Sequence, residues 1–181
     1  MPAPMKRIER ALRILIGLVG MAVIVACLCG IILLFGGRWG LPYFSFTSDN
    51  GSPCVNTWGG YSCSSLTTDD FELYSQFELP PGTTIRSASY AATSNYSLDA
   101  VLVTDKAHAA QALKALTTKY GTCRTGQQVP SQLSGATKEC RMSTDDEPVA
   151  TDKAPPAILY TVATGLAKDG SRITVVHIQS R

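Results

Sequence analysis

Residues 14–35 read ILIGLVGMAVIVACLCGIILLF, a run of 22 residues without a charge. As an α-helix this run is roughly 33 Å long, enough to cross a hydrocarbon core of roughly 30 Å. A soluble helix of such length keeps one polar face, and this one has none. The run therefore predicts a transmembrane helix over residues 14–35, with a short N-terminal segment, residues 1–13, before it.

The flanks orient the span. Lys6, Arg7, Arg10 and Arg13 against Glu9 give residues 1–13 a net charge of +3. Positive residues stay on the cytoplasmic side, so the expected topology is N-terminus in, C-terminus out, at the plasma membrane. Trp39, Tyr43, Phe44 and Phe46 follow the span and suit an aromatic belt at its outer interface. A cleaved signal peptide has an apolar region of about 7–15 residues, shorter than this run, so a retained signal-anchor is the reading. Ile24-Val25-Ala26-Cys27 also resembles a lipobox ending in a lipidated cysteine, but the apolar run continues from Leu28 to Phe35 where a lipoprotein would carry a polar tether. Within the span, Ala22, Ala26 and Gly30 recur at four-residue spacing, a stripe that lets helices approach closely in lipid.

From Trp39 onward 11 basic residues face 13 acidic ones. A domain this close to neutral lacks the basic footprint that nucleic acid requires. Its four cysteines, Cys54, Cys63, Cys123 and Cys140, suit two disulfides in an oxidising compartment. Three connectivities are possible; nearest-neighbour pairing, Cys54 with Cys63 and Cys123 with Cys140, closes the shortest loops. The spacings lack the short C-x₂₋₄-C of a zinc knuckle and the C-x-x-C of a redox motif.

Residues 36–66 are rich in Gly, Ser and Asn and read as a juxtamembrane linker and disulfide loop, with Trp58 and Tyr61 either forming a surface contact patch or, the favoured reading, packing back onto the domain. The extracytoplasmic domain proper spans residues 67–181. Residues 67–79 are ambiguous between strand and helix; Thr67 with Asp70 three residues later resembles a capping box and favours a short helix, ended by Pro80-Pro81-Gly82. Thr83–Ala91 and Tyr96–Thr104 read as paired strands around Thr93-Ser94-Asn95. Asp105 is placed to cap an amphipathic helix with Ala109, Ala112, Leu113, Leu116 and Tyr120 on one stripe and Gly121 as a left-handed terminator. Residues 124–156 read as a polar loop; its acidic run Asp145-Asp146-Glu147 lacks the sharp Gly turn of a calcium loop. Ile158–Gly165 and Arg172–Gln179, joined through Lys168-Asp169-Gly170, read as a hairpin. The fold class expected is α+β: one transmembrane helix, then a small two-layer domain with an antiparallel sheet and one main helix.

Chemistry is sparse. His108 and His177 are the two histidines, neither beside a sequence-local partner that resembles a triad. No G-x-S-x-G, G-x-G-x-x-G or P-loop occurs, and no cofactor or metal is implied. Asn50-Gly-Ser and Asn95-Tyr-Ser match the N-glycosylation pattern, which matters only in a eukaryotic secretory pathway; bulk composition points to a bacterium.

The run Phe77-Glu78-Leu79-Pro80-Pro81-Gly82-Thr83, followed by Tyr90, Asp99 and an alternating strand into a helix, resembles uncharacterised short single-span envelope proteins of actinobacteria. In those a Phe-x-Leu-Pro element leads into two strands and a helix. The resemblance implies the bacterial cell membrane and outward exposure, and no activity. The function expected is a membrane-tethered binding or accessory module whose partners are the lipid bilayer and an envelope protein or cell-wall component. The alternatives are a small envelope hydrolase using His108 or His177, and a lipoprotein lipidated at Cys27.

Overall fold

A computed structural model describes residues 5–144 and 157–180; the Asp145-Asp146-Glu147 run lies outside them. Helix α1 (Met5–Phe35) runs unbroken through Cys27 and ends on the last residue of the apolar run. Its Leu12–Phe35 portion is long and apolar enough to cross a membrane, and none of it is buried against the rest of the chain. Ala22 and Ala26 lie exposed along it and Gly30 is half-buried. Cys27 and Cys29 are free thiols on the same helix.

The rest of the chain builds one eight-stranded antiparallel sheet in the order β1-β2-β3-β4-β5-β8-β7-β6. The two hairpins read from sequence form its centre: β4 (Thr83–Ala92) pairs with β5 (Tyr96–Thr104), and β7 (Ile158–Leu166) with β8 (Arg172–Ser180). β5 and β8 join them, with Leu98 opposite Ile178 and Ala100 opposite Val176. Alternation explains the packing. Leu98, Ala100 and Leu102 of β5 and Val176 and Ile178 of β8 point to one face and are buried there, while their neighbours point to the other.

Helices α2 (Thr68–Ser75) and α3 (Ala109–Tyr120) cover the buried face. α2 is the helical alternative of the ambiguous segment, and one half of the capping box is formed: the Thr67 hydroxyl accepts from the Asp70 amide at 3.3 Å, while the Thr67 amide donates to the Ser52 hydroxyl at 2.9 Å. Phe71 is fully buried beneath it. Asp70 is itself buried and accepts hydrogen bonds from the Ser48 hydroxyl and, at 3.0 Å, from the Asn50 amide, which ties α2 to the β1–β2 turn. Burial pushes the Asp70 carboxyl up, but hydrogen bonds from Ser48, Ser52 and Asn50 outweigh it and hold the group below its ordinary value.

Four expectations are corrected. Residues 36–66 are not a linker: β1 (Ser45–Thr47), β2 (Pro53–Thr57) and β3 (Gly60–Cys63) extend the sheet, and β3 pairs with β4 from Tyr61–Ala92 to Cys63–Tyr90. Part of the region 124–156 is also ordered as β6 (Thr137–Ser143), an edge strand bulged between Thr137 and Cys140, preceded by a 3-10 turn at Ser131–Leu133 that packs on β8. Asp105 does not cap α3 directly; its carboxylate accepts from the His108 amide at 2.9 Å one turn earlier, and the regular helix starts at Ala109. Gly121 has a positive φ of 88° but ψ of −165°, an extended geometry that only glycine tolerates, and not a left-handed helical one.

Cys54 is joined to Cys63 and Cys123 to Cys140. The first links directly opposed residues of β2 and β3, whose Cα atoms are 4.0 Å apart. The second ties the end of α3 to β6, with Cα atoms 5.4 Å apart.

Candidate functional site

Of the seven tyrosines in the chain, six lie on the helix-covered side of the sheet. On one side Tyr61 meets Tyr90 at 5.9 Å between ring centroids, Tyr74 of α2 stacks parallel on Tyr90 at 3.9 Å, and Tyr96 lies 6.2 Å from Tyr90. On the other side Tyr120, the last residue of α3, packs against Phe77 at 5.6 Å and Tyr160 at 5.1 Å. Between the two groups lies a cavity of about 260 Å³ lined by Tyr74, Tyr96, Tyr120, Tyr160, Ile158 and Ile178, with Ser75, Gln76, Lys119 and Thr144 also contributing.

The polar atoms of this cleft are few and specific. The Tyr160 hydroxyl donates to the Tyr120 carbonyl at 3.0 Å, which closes the end of α3 against β7. The Tyr120 side chain is only 4% exposed, and its hydroxyl has no hydrogen-bond partner among the described residues. A buried hydroxyl left unpaired costs roughly 1–3 kcal/mol, so it is held there by the packing of the ring. Burial, and secondarily the neighbouring Tyr160, pushes the Tyr120 hydroxyl above its ordinary value. Burial does the same for Tyr74, reinforced by Tyr61 and Asp70. Both stay neutral donors at any physiological pH. Gln76, at the lip, sits in the left-handed region (φ 51°, ψ 36°), a conformation costly for a residue with a side chain. It ends α2 there and turns the chain towards Phe77, which supports Tyr120.

The arrangement offers aromatic faces and a polar lip that includes Lys119. Among its described lining residues there is no carboxylate, histidine or cysteine. Such a cleft suits one ring of a polyhydroxylated ligand, with C–H groups over tyrosine faces and hydroxyls toward the lip.

The histidines lie elsewhere. His177 Nδ1 is 2.6 Å from Asp99 Oδ1, two residues directly opposed across β5 and β8 on the open face of the sheet. Both side chains are substantially exposed. Asp99 borders a separate cavity of about 360 Å³ with Ser64, Ser87, Ser89 and Arg86, and His177 is outside it. His108 Nδ1 is 2.8 Å from Asp105 Oδ1, a local turn contact that the sequence reading missed. Among the described residues no group of three or more His, Cys, Asp or Glu is placed to hold a metal.

The tyrosine cleft escaped the sequence reading because its walls come from α2, β5, α3 and β7. The available signal was that Tyr74, Tyr96, Tyr120 and Tyr160 each close or flank an amphipathic element on its apolar side. Of the site residues taken from sequence, Ala22, Ala26 and Gly30 lie on α1, away from the cleft, and the Cys123–Cys140 bond anchors the helix that carries Tyr120. No family model, curated protein or solved structure matches the chain.

Proposed function

We propose that this chain is a single-pass envelope protein, N-terminus in the cytoplasm, whose outward domain binds a saccharide of the cell wall in the tyrosine cleft. The observation that carries the reading is a cavity walled by four tyrosine rings, Tyr74, Tyr96, Tyr120 and Tyr160, with Ser75, Gln76, Lys119 and Thr144 at its polar lip. The rings offer apolar faces to the C–H groups of a sugar ring, and the lip offers polar partners to its hydroxyls. The charge pattern at residues 1–13, the apolar α1 and the two disulfides support the outward orientation. The resemblance of the Phe77–Thr83 run to actinobacterial envelope proteins agrees with that compartment.

The competing reading, a small envelope hydrolase, draws on the Asp99–His177 pair. That pair lies on the open sheet face with both side chains substantially exposed and His177 outside the cavity that Asp99 borders, so water has access to it. The binding reading therefore has the better geometry.

The test is co-sedimentation of the full chain, in lipid nanodiscs, with purified peptidoglycan sacculi. Wild type is expected to bind saturably. Tyr96→Ala removes one aromatic wall of the cleft, so binding should weaken about fivefold to tenfold while a cooperative thermal transition is retained. No binding by wild type, or unchanged binding by Tyr96→Ala, would sink the proposal.

A further inference from the structure

The end of α1 is locked to the sheet. The Gly36 carbonyl accepts from the Leu41 amide at 2.9 Å, and the Gly37 carbonyl accepts from the Asn56 side-chain amide at 2.7 Å. The Asn56 backbone in turn bonds Tyr43 at 2.8 Å and Phe44 at 3.0 Å. A Cβ at Gly37 would collide with the Ser45 carbonyl, so glycine is what lets the helix end approach β1.

Three amphipathic aromatics project at this junction. Trp39 is 59% exposed, Tyr43 74% and Trp58, at the two-residue turn between β2 and β3, 79%. Trp58 Nε1 donates to the Tyr43 hydroxyl at 2.8 Å with the rings edge to face, and Trp39 stacks on Phe35 at the end of α1. Phe44 and Phe46 leave the belt expected from sequence. Both are half-buried, Phe44 against Gly36 and Phe46 on Tyr61. Trp58 joins the belt in their place. Its exposure is thus a correction to the reading that packed it onto the domain.

We infer that Trp58, with Tyr43 and Trp39, sits in the lipid headgroup layer of the bilayer that α1 crosses, so that the domain is seated on the membrane surface. The occupant is lipid because the patch is continuous with the end of the apolar helix and carries the residue types, Trp and Tyr, that partition to that layer. Strand register carries the consequence further. Ala92, Tyr96, Ser180 and Ile158 lie at the same end of the sheet as the Trp58 turn, through Tyr61 opposite Ala92, Ala92 opposite Tyr96, Ser97 opposite Gln179 and Ile158 opposite Ser180. The tyrosine cleft therefore occupies the seated end of the sheet. Tyr74 lines both that cleft and a cavity of about 750 Å³ bounded by Leu34 and Arg38 at the end of α1.

The inference rests on α1 lying in a bilayer, and the two tryptophans of the chain separate the two questions. Trp58→Phe leaves Trp39 as sole reporter and Trp39→Phe leaves Trp58; both positions are exposed, so the fold is expected to survive. Each full-length variant is reconstituted into phosphatidylcholine–phosphatidylglycerol vesicles with and without bromine on the upper acyl chain. The expected result is a blue-shifted Trp58 emission that bromolipid quenches to an extent comparable with Trp39. Quenching of Trp39 alone, with Trp58 open to acrylamide, would overturn the seat and leave the span intact. Trp58 shielded from acrylamide yet untouched by bromolipid would assign the patch to a protein and also overturn it. Quenching of neither would remove the span, and the seat with it.

Discussion

Phe71→Ala is expected to destabilise the domain by about 3–5 kcal/mol, the cost of emptying a fully packed aromatic site. Phe71 has no exposed surface and stands between α2 and the sheet, with Leu98 in the same core. α2 is only eight residues long, too short to persist without tertiary support. The loss should lower the melting temperature by about 10–15 °C, read by near-ultraviolet circular dichroism of the full chain in nanodiscs. Because α2 carries Tyr74, the tyrosine signal should change in the same transition. A shift under about 3 °C would mean that α2 does not depend on this contact.

Removing the Cys123–Cys140 bond by paired substitution to serine is expected to cost about 3 kcal/mol, as for a closed loop of this size. The sequence separation is 17, and the bond holds Cys123 just beyond Tyr120 at the end of α3. The Cys54–Cys63 bond closes a separation of only 9 between already paired strands, so its loss should cost less. Thiol titration gives the control. Cys27 and Cys29 are the free thiols of the folded chain, and all six cysteines should titrate after reduction and unfolding. Equal melting temperatures for the Cys123→Ser/Cys140→Ser chain and wild type would contradict the assigned role of this bond.

What was legible in the sequence follows from where periodicity is strong. Alternation in Tyr96–Thr104 and Arg172–Gln179, the Asp169-Gly170 turn and the Ala109–Tyr120 stripe each bury one clean face, so local pattern and tertiary packing agree. β1 to β3 were hidden because their residues are those of turns. Gly60 lies so close to Ala92 that a Cβ would collide with its carbonyl, so a residue read as a loop former is what lets β3 pair with β4. β6 was hidden because only its Cys140, Met142 and Ser143 are buried, and a bulge breaks the alternation between Thr137 and Cys140. The cleft depends on β8 inserting between β5 and β7, a strand order that no local pattern encodes.

Saccharide binding in the tyrosine cleft is tested by calorimetric titration of the nanodisc-held full chain with soluble disaccharide fragments of cell-wall glycan. Wild type is expected to bind saturably, and Tyr74→Ala, which removes one aromatic wall of the cleft, to lose at least about tenfold, equivalent to about 1.4 kcal/mol. Absence of heat with wild type, or equal affinity in Tyr74→Ala, would contradict it.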